Sequence, residues 1–286
     1  MARGSRVYYW FSGLLLIAGT VIFMNGGRQH PPINESMGQF GTPDFFVQFA
    51  TLIQTDPNWE PVHAMIIAGP VLWTLGILAL ADQIRARGEN RWSTFAIVTM
   101  AMGVTLHVVL YIFDGFVASK IATQLLSSEE PTRTALIWTF GANQWTVIRM
   151  STVSWLLISL TPAALAIGML TAKRALGGFG KLLQGILVVV GLVLGVFTLI
   201  ATATGLYSPG PMVSPFYVPA AVSTALWFAV AGISVLLRER SDTVTPEPAA
   251  VGTATPPAER STVDAPNNRS VEETATTGPR HASSRR

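Results

Sequence analysis

The sequence predicts an all-α fold, a polytopic integral membrane helical bundle with six transmembrane helices. Three observations carry this expectation. Half of the 286 residues are hydrophobic and only 12% are charged, which is about half the charged share of an ordinary soluble domain. The apolar residues gather into six segments, each about long enough to cross a hydrocarbon layer of ~30 Å as a helix. The basic residues alternate between the two sides from one connecting segment to the next, as a membrane bundle requires.

Arg3 and Arg6 precede the first span, at about 7–24. Its apolar run exceeds a signal-peptide core, and no small-residue cleavage pattern follows Phe23-Met24-Asn25-Gly26, so the span is expected to be retained. The segment 25–60 is a loop. His30-Pro31-Pro32 reads as extended chain. Thr42-Pro43-Asp44 reads as a helix start, with a capping Thr, a Pro in the first turn and an early acid. Phe45, Phe46, Phe49, Leu52 and Ile53 follow at helical spacing. They predict a short interfacial helix in the first outer loop, lying flat at the membrane surface or capping the bundle.

The second span is at about 61–81, where Gly69-Pro70 predicts a kink. The third is at about 92–116, and Lys120 to Gln144 reads as a mixed loop broken at Ser128-Glu129-Glu130-Pro131. Within it, Thr134 to Phe140 is expected to dip into the interface. The fourth span, about 145–172, contains Pro162; the fifth is at about 182–206 and the sixth at about 217–237. Pro209, Pro211 and Pro215 mark the turn between the last two. Residues 1–238 thus form one membrane domain, and the Pro/Thr/Ser/Ala-rich segment 239–286 is expected to be a disordered cytoplasmic tail.

With the N-terminus inside, the inner segments hold Arg3, Arg6, Arg85, Arg87, Arg91, Lys173, Arg174, Lys181, Arg238 and Arg240, against Arg28, Lys120 and Arg133 outside. This asymmetry predicts both termini in the cytoplasm, with the chain in the inner or plasma membrane. Trp59, Trp138, Trp145, Tyr207 and Tyr217 then fall at outer span ends and Trp92 at an inner one, as aromatic belts do.

The chain has no cysteine, which excludes disulfides, thiolate metal sites and iron–sulfur ligation. A net charge of +3 gives no nucleic-acid footprint. No H-E-x-x-H or G-x-S-x-G run occurs. Gly191-x-x-x-Gly195 allows close helix approach, either within the chain or on a homo-oligomer or partner-subunit face.

Ionisable residues inside spans are costly, so they are the functional candidates. His63, His107, Asp114 and Arg149 all fall toward the outer leaflet. His107, Tyr111 and Asp114 share one helix face, as do Trp145, Arg149 and Thr152. The reading that asks least of them is an accessory or structural subunit. In it Asp114 pairs with Arg149, His107 hydrogen-bonds within the bundle and His63 sits at the wet interface. A second reading is a small-solute or proton-coupled transporter using the His/Asp/Arg cluster. A third is a b-type haem protein with His63 and His107 as axial ligands and Arg149 on a propionate. A fourth gathers His30, His63, His107 and Asp114 around zinc or copper, with the loop position of His30 against it.

Overall fold

The computed structural model describes residues 3–32, 37–172, 180–207 and 217–238. The expected turn at 208–216, most of the basic turn at 173–179 and the expected tail at 239–286 lie outside the described residues. In chain order the helices are α1 (Arg3–Gln29), α2 (Pro43–Thr55), α3 (Trp59–Arg85), α4 (Arg91–Tyr111), α5 (Ala118–Ser127), α6 (Thr132–Thr171), α7 (Gly180–Tyr207) and α8 (Tyr217–Arg238). A π-helical turn, Ile112–Val117, joins α4 to α5. Among the described residues, six helical segments are long and apolar enough to cross a membrane. The chain is a multi-pass membrane protein built as a helical bundle, as its composition predicts.

Lipid is as apolar as a leucine side chain, so the spans are held by close packing and interhelical hydrogen bonds rather than by water exclusion. A Cβ built on Gly19 of α1 would lie 2.7 Å from the Gly69 carbonyl oxygen of α3. Only glycine lets these two backbones touch. Nearby, the Trp73 indole N–H donates to Thr20 Oγ1 over 3.1 Å, and Thr20 Oγ1 donates to the Ala225 carbonyl over 2.9 Å. That chain of donors ties α3, α1 and α8 together. The Gly191 and Gly195 stripe serves the same purpose between α7 and α6. Added Cβ atoms there would lie 2.7 Å from the Pro162 carbonyl oxygen and 2.7 Å from Ala163 Cβ. The stripe therefore packs within the chain, against α6.

The largest departure from expectation lies between the third and fourth spans. Lys120 to Gln144 is not a mixed loop: α5 runs to Ser127, and α6 starts at Thr132. Thr134 to Phe140 is part of that continuous helix rather than a segment dipping into the interface. At 40 residues and ~1.5 Å per residue, α6 is about 60 Å long, twice the ~30 Å hydrocarbon thickness. Its first turns and α5 project beyond the apolar layer as a hairpin. The α2 helix packs on this hairpin, with Thr42 accepting from the Phe45 N–H as its N-cap. Phe45, Phe46, Phe49 and Ile53 are buried against Ala118, Ala122, Leu125, Ile137 and Phe140. The apolar face of α2 is thus covered by protein, and α2, α5 and the start of α6 form a cap with its own core. Outside lipid, each such buried large side chain contributes about 1.5–3 kcal/mol.

Candidate functional site

Three elements meet beneath the cap: the C-terminal end of α1 with His30, the first turn of α3 with Trp59 and His63, and the π turn with Asp114. The π turn departs from the expected uninterrupted third span, and such turns recur at functional sites. It breaks the regular backbone ladder, and side chains from other helices reach its carbonyls. The Trp59 indole N–H donates to the Asp114 carbonyl over 3.2 Å, and Asn143 Nδ2 donates to the Phe113 carbonyl over 3.3 Å. Gly115 lets the π turn press on α3, since a Cβ there would lie 2.5 Å from His63 Cβ. Trp59, expected in a lipid-facing belt, is buried at the junction of cap and bundle.

His63 is fully buried rather than at a wet interface. Its Nδ1 lies 2.7 Å from the Trp59 carbonyl oxygen, an acceptor, so Nδ1 carries the hydrogen and donates. Its Nε2 lies 3.2 Å from Asp114 Oδ2. A carboxylate oxygen is also an acceptor, so this second contact is attractive only with a hydrogen or a cation between the atoms. Asp114 Oδ1 is buried and accepts no hydrogen bond among the described residues, a costly state for a carboxylate oxygen.

His30 completes the group. Its ring centroid lies 5.1 Å from that of His63 and 5.3 Å from that of Trp59. His30 Nδ1 lies 3.0 Å from the Pro31 carbonyl oxygen, to which it donates. Both imidazoles therefore fix Nδ1 on a backbone carbonyl and leave Nε2 for another partner, the arrangement that orients metal-ligating histidines. Burial, and next the neighbouring His63, hold the His30 imidazole below the ordinary histidine range. It is therefore neutral near pH 7 and offers a lone pair. One ligand atom each from His30, His63 and Asp114 lies within 4.8 Å of the others. Bonds of ~2.0–2.1 Å to one tetrahedral ion place ligand atoms about 3.3 Å apart. The His63–Asp114 pair already has that spacing, and His30 offers a third ligand atom within 4.8 Å.

The remaining sequence candidates stand apart from this trio in role. The Tyr111 ring lies between the histidines, 5.7 Å from His63 and 4.5 Å from His107 between centroids. His107 Nε2 donates to the Ile66 carbonyl oxygen over 3.2 Å. His107 is fully buried and lies outside the metal-ligand group. The Arg149 guanidinium lies over the Trp145 ring, 5.8 Å from its centroid, within cation–π range.

Sequence reasoning left Trp59 and Asn143 out of the site and discounted His30 as a loop residue. A signal for the first was available: Trp59 and His63 are spaced i, i+4 on one helix face. His30 directly follows α1 because that helix runs to Gln29, beyond the first span expected at about 7–24. No protein-family model, curated protein or solved structure matches the chain, so the chemistry of this cluster is what bears on function.

Proposed function

We propose that this multi-pass membrane protein binds a divalent first-row metal ion through His30, His63 and Asp114, with that end of the bundle on the outer face of the membrane. The observation that carries the reading is the convergence of three ligand atoms within 4.8 Å. Two buried features support it: the His63 ring set between two acceptors, and the unsatisfied Asp114 Oδ1. Two imidazoles and a carboxylate suit zinc, iron(II) or cobalt. Three protein donors leave coordination positions for water or a substrate, whereas structural zinc sites are closed by four. The centre is therefore read as a working metal site rather than a staple.

The test uses the full chain, purified in detergent, stripped with chelator and titrated with Co²⁺ and Zn²⁺. One ion per chain is expected. His63→Ala and Asp114→Asn should abolish binding. His30→Ala should weaken it by more than the roughly 10–100-fold typical of losing a supporting residue. Absence of saturable binding by the folded wild-type chain would overturn the metal reading and leave the accessory-subunit reading.

A further inference from the structure

Trp59 touches every member of the cluster. Its backbone carbonyl accepts from His63 Nδ1 over 2.7 Å. Its indole N–H donates to the Asp114 carbonyl over 3.2 Å. Its ring packs on both imidazoles, with centroids 4.5 Å from His63 and 5.3 Å from His30.

Resting on the metal reading above, we infer that Trp59 is the positioning residue of the centre, fixing the two ligands that share its hydrogen bonds. The two bonds do different work. The carbonyl sets the His63 tautomer, so that Nε2 and not Nδ1 presents its lone pair, and it sets the ring plane. The indole N–H holds the backbone of the π turn at Asp114. In a regular α-helix this carbonyl is committed to the ladder; at the π turn a side-chain donor steadies it. The indole bond uses neither carboxylate oxygen: Oδ2 stays 3.2 Å from His63 Nε2, and Oδ1 stays without a hydrogen-bond partner among the described residues. This is the outer-shell logic by which metal proteins orient their ligands, and such partners typically matter 10–100-fold in affinity.

The same residue belongs to the core of the cap. Trp59 packs edge-on against Phe49 of α2, with centroids 5.7 Å apart, and is 2% exposed. A packing role and a positioning role thus coincide in one side chain, and the test separates them. Trp59→Phe keeps the backbone carbonyl and most of the ring but loses the N–H. Phe49→Leu removes aromatic packing against Trp59 and leaves its N–H in place.

The experiment is a Co²⁺ titration of the full chain, read by the cobalt d–d bands and by thermal unfolding. Trp59→Phe should bind Co²⁺ about 10–100-fold more weakly than wild type, with shifted bands reporting altered oxygen ligation. Phe49→Leu should unfold at lower temperature yet keep wild-type affinity and bands. Should Trp59→Phe fail to fold, benzothienylalanine at position 59 keeps the indole shape and replaces N–H by sulfur. The same loss is expected from it. Wild-type affinity and bands in either Trp59 variant would overturn the inference, as would equal affinity losses in Phe49→Leu. A wild-type chain that binds no Co²⁺ overturns the metal reading itself, and is told apart because it fails before any variant is compared.

Discussion

Pro70 removes one backbone N–H from α3, and His107 replaces it. A proline cannot donate to the carbonyl four residues earlier, which here belongs to Ile66. His107 on α4 donates Nε2–H to that oxygen over 3.2 Å. The most conspicuous intramembrane histidine thereby acquires a structural role that composition alone cannot assign. Pro70 and His107 are each visible in the sequence, but their pairing depends on how α3 and α4 face each other. His107→Ala should cost about 1–3 kcal/mol by leaving a buried carbonyl unsatisfied. The cost should shrink in a Pro70→Ala background, where the backbone supplies its own donor, and Co²⁺ affinity should be unchanged in both. Unfolding of the four members of this cycle checks the claim; equal costs in both backgrounds would sink it. His63 differs in kind. Its burial beside Asp114 was not foreseen, because a residue near a span end reads as wet unless something is known to cover it.

At the scale of elements, the spans were legible because apolar length is a direct demand of the bilayer. Of the cap, α2 was legible, with its Thr42 start and capping as one of its two expected placements; α5 and the start of α6 were not, although their signals are present. Ala118, Ala122 and Leu125 recur at i, i+4 and i+7 on α5, and Ile137 and Phe140 at i and i+3 on α6. These stripes are interrupted by Lys120, Thr123, Thr134 and Thr139, polar residues that face away from the shared core. A short amphipathic helix and a polar loop look alike when the partner helix is unknown. The π turn leaves no mark in composition or periodicity; it is set by Trp59, Asn143 and the absent side chain of Gly115. The Gly191 stripe tells the opposite story, with a legible motif and an ambiguous partner. Gly191→Leu should destabilise the protein by at least the roughly 1–3 kcal/mol of an overpacked core, because even its Cβ meets the Pro162 carbonyl oxygen. Light scattering should find its oligomeric state unchanged. A stable variant with an altered oligomeric state would return the stripe to an intermolecular role.

For the whole molecule, one chain uses two ways of holding itself together. The spans rely on backbone contact at small residues and on hydroxyl and indole bridges; the cap relies on aromatic burial. The metal-ligand cluster sits where the two meet, so its ligands come from both the bundle and the π turn beneath the cap. The proposed orientation, with this end outside, rests on the distribution of arginines and lysines. The absence of native cysteine makes that testable with single introduced thiols. A membrane-impermeant maleimide applied to intact cells should label Glu129→Cys at the tip of the cap hairpin and spare Asn90→Cys at the opposite end. The reverse pattern would invert the topology and put the cluster on the cytoplasmic face.

The most direct measurement is X-ray absorption at the metal edge of the zinc-loaded full chain. The expected result is a first shell of nitrogen and oxygen at about 2.0–2.1 Å. It should carry outer-shell scattering from two imidazoles, falling to one in His30→Ala. An all-oxygen shell, or imidazole scattering unchanged in both His30→Ala and His63→Ala, would contradict a metal centre built from His30, His63 and Asp114.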